Sequence, residues 1–333
     1  MRAHMKFILP LVGIVALLVL YSIYWFYAAG RVNAAVLDWV EEKEGLGYEI
    51  AYSELQVRGY PYRFQIEIDG ATISAPRSDG GWNATLEHLQ ANALPYDFSH
   101  WIVSFGGPMH IQSDRELMVN AQEARVSLRT NDQGQTERVG AEILALSVET
   151  LAGDPLDIEY VESFVLGGSV EAGDSLRVRI QADGIRATEQ EGSQDLTRAF
   201  GQTGEQIRLD FEVTEWTALA RDGDAGSWSR AGGQLQIHDA RLNWGPARLN
   251  GGEGELGLDE EFQPDGRLSI SIADPDSLAV ALVGAGLIPQ ENEEALRLAA
   301  MMAPRGPEGV SLGFRLRDGG IYLGPVRIGR LAE

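Results

Sequence analysis

"LQVRGYPYRFQIEIDG", residues 55–70, holds the pattern that decides the fold. Phe64, Ile66 and Ile68 alternate with Gln65, Glu67 and Asp69. A period of two is that of a strand with one dry face. Before this strand lies an interruption, Arg58-Gly59-Tyr60-Pro61-Tyr62, in which proline has no N–H to donate to a ladder. The same alternation recurs in Leu176, Val178 and Ile180, in Ile207, Leu209, Phe211 and Val213, in Leu268, Ile270 and Ile272, and in Leu312, Phe314 and Leu316. Short runs of this kind joined by Asp-Gly and Gly-Gly pairs predict a meandering antiparallel sheet. The expected fold is mainly β (α+β): a long, curved, amphipathic antiparallel sheet with a few short helices, behind one N-terminal transmembrane helix.

That helix is read from Phe7–Tyr27, a stretch without charge. At about 1.5 Å per residue it spans a hydrocarbon core of about 30 Å. Arg2 and Lys6 precede it, Tyr21, Tyr24, Trp25 and Tyr27 crowd its far end, and Asp38, Glu41 and Glu42 follow. The positive-inside rule puts the tail 1–6 in the cytoplasm and the bulk of the chain across the membrane. A cleaved signal peptide fits less well, because its apolar core is shorter and ends on small residues, whereas Phe26 and Tyr27 come before Ala28 and Ala29 here. The chain has no cysteine, so it carries neither disulfides nor a lipidated thiol, which suits a bacterial periplasm and equally a cytosol. With 49 acidic against 27 basic residues the formal charge is -22, and no basic run exists for a polyanion such as nucleic acid.

Val32, Val36, Trp39 and Val40 form one helical face, so residues 28–44 read as a stalk helix ended by Gly45 and Gly47. A first β-rich part is expected at 45–190 and a second at 205–333, joined by the polar stretch 186–195 or fused into one domain. A helix pair in the second part, "LAVALVGAGL" and "ENEEALRLAAMMAP", is expected to lay Leu278, Leu282, Leu296, Leu298, Met301 and Met302 on the sheet. "SQDLTRAFGQTG", from Ser193, is a weaker helical segment.

No constellation fixes a chemistry, and neither catalytic residues nor a metal or cofactor site is expected. The five histidines, at 4, 88, 100, 110 and 238, make no zinc-binding spacing. "GEGELG", from Gly252, mimics a dinucleotide loop but leads to Asp259, Glu260 and Glu261 instead of a helix. "RDGDAGSW", with Asp222 and Asp224, lacks the later ligands of a calcium loop and reads as a polar turn. Acid pairs such as Glu260-Glu261 arise by chance among so many carboxylates. What remains are Pro-interrupted aromatic motifs: Gly59, Tyr60, Pro61, Tyr62 and Phe64, then Trp244, Gly245 and Pro246, with a third Gly-Pro at 324. They are expected to make bends or bulges where a strand turns over the core, or else an aromatic contact surface for a ligand.

The order of N-terminal membrane helix, "VRGYPYRFQIEI", "GGWNATLEHLQANALPYDFSHWIV", "GGQLQIHDARLNWGPARLNGGEGELGLD", "PDGRLSISIAD" and "DGGIYLGPVRIG" resembles an uncharacterised bacterial envelope family, domain of unknown function 2125. The resemblance covers most of the chain beyond the anchor and implies a bacterial inner-membrane location with the bulk in the periplasm. It implies no activity and no site residues. In layout the chain is also similar to AsmA-like envelope proteins, which pair a membrane helix with a long amphipathic sheet implicated in lipid handling. The leading functional expectation is a non-enzymatic sheet that binds or shields a lipid or acyl chain in a groove lined by Phe64, Ile66, Ile207, Leu209, Phe211 and Ile270. A scaffold that docks another envelope protein is the alternative, and a hydrolase with carboxylates drawn from distant segments a third.

Overall fold

The computed structural model describes residues 2–152, 158–171, 173–187, 194–222, 224–259, 262–323 and 326–330. It opens with α1 (Arg2–Gly45), in which the expected membrane segment and stalk are one unbroken helix. Then come β1 (Glu49–Ala51), β2 (Glu54–Arg58), β3 (Phe64–Ser74), β4 (Asn83–Leu94), β5 (Asp97–Gln112), β6 (Glu116–Thr130), β7 (Thr136–Ala152), β8 (Ile158–Glu171) and β9 (Ser175–Ala187). After α2 (Gln194–Phe200) and β10 (Thr203–Thr214), α3 (Trp216–Asp222) and α4 (Ala225–Arg230) lead to β11 (Leu235–Trp244), β12 (Ala247–Leu258) and β13 (Pro264–Ile272). The pair α5 (Pro275–Gly284) and α6 (Glu291–Met302) precedes β14 (Arg305–Gly306), β15 (Gly309–Arg317), β16 (Gly320–Leu323) and β17 (Val326–Arg330).

All the strands belong to one antiparallel sheet in which β2 to β13 pair each with the next. β1 extends the β2 edge of β3, and the helix pair interrupts the meander so that β13 pairs with β15. Among the described residues no pairing joins β17 back to β1 or β2, so the ladder is open. β9 and β10 pair along their length, so hydrogen bonds run unbroken across the expected junction near 190–205, of which 188–193 lie outside the described residues. Register breaks, for example between Asp210 and Phe211 and between Asn250 and Glu253, add local bend and twist.

Cross-strand partners share a face, so register converts the alternation of single strands into rows across the sheet. One row runs Leu55, Ile68, Leu89, Phe105, Ala124, Ile143, Phe164, Ala182, Ile207, Leu242, Leu249, Ile272, Val310. A second runs Val57, Ile66, Ala91, Val103, Val126, Ala141, Leu166, Ile180, Leu209, Ala240. Neither row contains a polar side chain. The opposite face carries Ser127, Gly140, Gly167, Arg179, Asp210 and Asp239 in register.

Two buried clusters sit at the two ends of this apolar face. At one end Trp25, Ala28, Ala29 and Val32 of α1 cover Phe64 and Ile66. At the other, Leu278, Ala279, Leu296 and Ala300 of the helix pair cover Ala247, Ile270, Ile272, Val310 and Leu312. Three of the expected packing residues are not part of this contact: Leu298, Met301 and Met302 are 57 %, 78 % and 81 % exposed. On a helix of 3.6 residues per turn they share the side opposite Leu296 and the small residues Ala299, Ala300 and Ala303, which let α6 lie close.

Candidate functional site

The interruption at 58–62 is a hairpin turn, not a bend within a strand: Arg58 pairs with Gln65, and Gly59 accepts from the amides of Tyr62 and Arg63 at 3.0 and 3.1 Å. Gly59 is required there, because its φ is +99° and a Cβ would meet the Arg63 carbonyl oxygen at 2.6 Å. The tip of the turn docks on α1. Tyr21 donates its hydroxyl to the Pro61 carbonyl. Ser22 Oγ lies 2.7 Å from the Tyr60 hydroxyl and 2.7 Å from the Leu18 carbonyl. The single serine proton goes to that carbonyl, so Tyr60 is the donor to Ser22. Trp25 stacks on Phe64 at 5.2 Å, Phe26 on Tyr60 at 5.5 Å, and Phe64 in turn on Phe98 at 5.4 Å.

A second turn joins this group. Leu94 pairs with Asp97 across the two-residue turn Pro95-Tyr96, and Tyr24 donates to the Pro95 carbonyl at 2.6 Å. Pro95 is fully buried, whereas Tyr96 is 83 % and Tyr62 81 % exposed. The tripeptide Leu94-Pro95-Tyr96 repeats the X-Pro-Tyr order of Tyr60-Pro61-Tyr62, the signal by which the sequence marks it. The Trp25 indole N–H is buried without a hydrogen-bond partner among the described residues, so ring packing positions it.

Trp244-Gly245-Pro246 is likewise a hairpin turn, between β11 and β12, with Trp244 paired to Ala247. It belongs to different surroundings: the indole donates to the Gly201 carbonyl at 2.7 Å, and a Cβ on Gly245 would meet the Phe200 carbonyl oxygen at 2.2 Å. Both motifs are turns because each ladder resumes in register on the far side. The Gly-Pro at 324 and the pair Glu260-Glu261 lie outside the described residues. Asp224, expected in a polar turn, caps α4 by accepting from the Ser227 amide at 2.7 Å.

Of the six side chains expected to line a groove, Phe64 and Ile66 are floor beneath α1, and Ile270 lies beneath the helix pair. Burial under a helix takes them out of any open groove. Ile207, Leu209 and Phe211 sit on the middle strands, between the two covered ends, where Val126, Leu166 and Ile180 are half-buried and Leu209 is 36 % exposed. The apolar rows thus connect the cluster beneath α1 to the cluster beneath the helix pair through a stretch that neither helix set covers.

The reverse face is built for water. Asp210, 9 % exposed at its side chain, receives Arg177 Nε at 2.8 Å and Arg179 Nε at 2.9 Å. Burial pushes its carboxyl up, but hydrogen bonds and charge from the two guanidinium groups outweigh this and hold it below the ordinary carboxylate range. A hollow of ≈ 790 Å³ on this face has a mixed wall, in which His238, Glu253, Glu255, Asp265 and Arg267 stand beside Ile237, Leu256 and Leu258, so an acyl chain there would meet charged groups.

His88, His100, His110 and His238 each contact one side chain, Asp69, Ser127, Glu116 and Glu212. Among the described residues no three potential metal ligands converge. Gly252–Gly257 lies inside β12, with no helix N-terminus to receive a phosphate. Comparison with curated proteins and with solved structures yields no match. A family model matches residues 25–332, from the indole that stacks on Phe64 nearly to the C-terminus. The chain therefore belongs to the family described as "Uncharacterized protein conserved in bacteria (DUF2125)".

Proposed function

We propose that this protein is anchored in the bacterial inner membrane by α1, with its N-terminus in the cytoplasm and its sheet in the periplasm. There the apolar face binds or shields an acyl chain without catalysing a reaction. Anchoring is supported by α1, where Val12–Gly45 includes a window of mean hydropathy 2.0, long and apolar enough to cross a membrane. Only 11 % of that window is covered by the rest of the chain, unlike the core helix of a soluble domain.

The observation that carries the ligand class is the row from Leu55 to Val310, apolar at every position, whose middle residues Ile143, Phe164 and Ile207 are only half-buried and belong to neither helix-covered cluster. Apolar area left to water costs about 25 cal/mol per Å², and contiguous apolar surface of this kind marks an interaction site. A hydrocarbon chain laid along the row meets side chains from strand after strand at about 4.8 Å spacing, with no polar group to desolvate. Headgroup chemistry is not specified by such a surface, so the ligand class is any long acyl chain.

Native mass spectrometry of the intact protein released from nanodiscs, with lipid extraction, tests this. A lipid adduct that survives release and disappears on Leu209→Asp supports the proposal. An adduct-free mass after exposure to whole membrane extract contradicts it and moves the search to a protein partner.

A further inference from the structure

The two X-Pro-Tyr turns lie at a level along α1 that their architectural role does not require. Tyr21 and Tyr24, which hold the Pro61 and Pro95 carbonyls, stand ten and seven residues before Arg31. Arg31 is the first charged residue after Lys6. At 1.5 Å per residue the tips therefore lie about 15 Å and about 10 Å below that charge, alongside the apolar part of the helix. A hydrocarbon core of about 30 Å that starts at Lys6 ends near residue 26, which brings its edge within about 8 Å of both contacts.

The tips have the composition this level demands. The loops Gly59-Tyr60-Pro61-Tyr62-Arg63 and Pro95-Tyr96 contain no carboxylate, in a chain with 49, and the nearest one, Asp97 at the foot of the second turn, is held by the amide and hydroxyl of Ser99. In an antiparallel meander the turns alternate between two ends, and other described turns at this same end carry Asp132, Asp174 and Asp318. Tyr62 and Tyr96 point away from the fold almost fully exposed, Phe98 is 42 % and Leu94 43 % exposed, and Arg63 is exposed beside them. Tyrosine belongs at the boundary of hydrocarbon and water, where its ring meets glycerol and its hydroxyl the headgroups; arginine there reaches phosphate.

We infer that these two turns seat the sheet in the membrane: Tyr62, Tyr96 and the Arg63 guanidinium lie in the interfacial layer of the phospholipid leaflet on the far side from the N-terminus. The bilayer is the partner, and the apolar face begins where lipid is met. This inference rests on α1 spanning the membrane, and the experiment separates the two statements.

The chain has no cysteine, so single substitutions Leu18→Cys, Tyr62→Cys, Tyr96→Cys and Asp114→Cys each accept one NBD fluorophore on the full-length protein. In phosphatidylethanolamine/phosphatidylglycerol vesicles, lipids with a nitroxide near the glycerol or near the chain end report depth. The expected result is a blue-shifted emission at 62 and 96 quenched most by the shallow nitroxide, quenching at 18 by the deep one, and none at 114, on the turn at the opposite end. Deep quenching at 18 with positions 62 and 96 behaving like 114 overturns the seating alone. No quenching at 18 overturns the spanning helix and the seating with it.

Discussion

The indole of Trp25 lies on the ring of Phe64, centroids 5.2 Å apart and planes inclined by 25°, so the first core-facing side chain of β3 is capped by the helix that precedes the whole sheet. Phe64 has no exposed surface, and Phe64→Ala is expected to destabilise the fold by about 3–5 kcal/mol through lost burial and the cavity left behind. Trp25→Phe retains a ring and removes an unpartnered N–H, so it should cost clearly less. Tyr62→Ala, at an exposed site, should move the unfolding midpoint by no more than about 0.5 kcal/mol. Chemical denaturation of the purified protein in micelles ranks the three variants, and equal effects would refute this account of the docking.

Gly59 and Gly134 both have positive φ, +99° and +78°, but they differ in surroundings. A Cβ at 59 meets backbone at 2.6 Å, whereas nothing lies within 4 Å at 134. Gly134→Ala should cost about 1 kcal/mol, the intrinsic penalty of a left-handed alanine. Gly59→Ala should exceed it and weaken the turn's hold on Tyr21 and Ser22. Paired unfolding curves decide, and a Gly59 variant no less stable than the Gly134 variant would contradict the close approach.

Asp210 is held below its ordinary value in the folded state, so folding favours its ionised form. That stabilisation is complete above about pH 4, the unfolded carboxylate value, and is lost as pH falls through the lower folded value. Asp210→Asn should destabilise at neutral pH by roughly 1–3 kcal/mol, less than for a fully buried pair because Arg179 is 64 % exposed and screened. It should also flatten the acid limb of a stability-versus-pH curve. An acid limb as steep as that of the parent protein would show that the pair contributes nothing.

Asp274 caps α5 by accepting from the Ser277 amide at 3.1 Å and from its hydroxyl at 2.6 Å. Asp274→Ala should cost about 1 kcal/mol, and Asp274→Ser should restore most of it. Thermal melts of the two variants compare them directly. Their equality would mean the cap is not used.

Strand identity was legible because alternation survives in short stretches such as Phe64–Asp69 and Ile207–Val213, and the helix pair because Gly286 and Pro289 punctuate it. The first cap was not legible: Asp276 and Ser277, suitable caps by residue type, lie inside the helix that Asp274 caps. What depended on pairing was not legible. That 59–63 is a turn and not a bend follows from β2 and β3 being partners, a relation no local pattern encodes. Which apolar residues stay open follows from where helices land: Ile270 and Leu209 look alike in sequence, yet one lies under α5 and α6 and the other does not. Leu298, Met301 and Met302 are not told apart from Leu296 by sequence, because apolar character alone does not say which side of a helix meets the sheet. Leu94-Pro95-Tyr96 repeats the order of Tyr60-Pro61-Tyr62, but only the docking of both turns on α1 gives that repeat a structural meaning.

The most direct test of acyl-chain binding is site-specific photo-crosslinking in growing bacteria. A benzophenone amino acid at Leu209, on the apolar face, is compared with one at Arg208, the next residue on the reverse face. The account predicts a phospholipid or other acyl-chain adduct at 209, identified by mass spectrometry, and none at 208. Crosslinks at 209 to protein alone, or lipid captured equally at both positions, would contradict it.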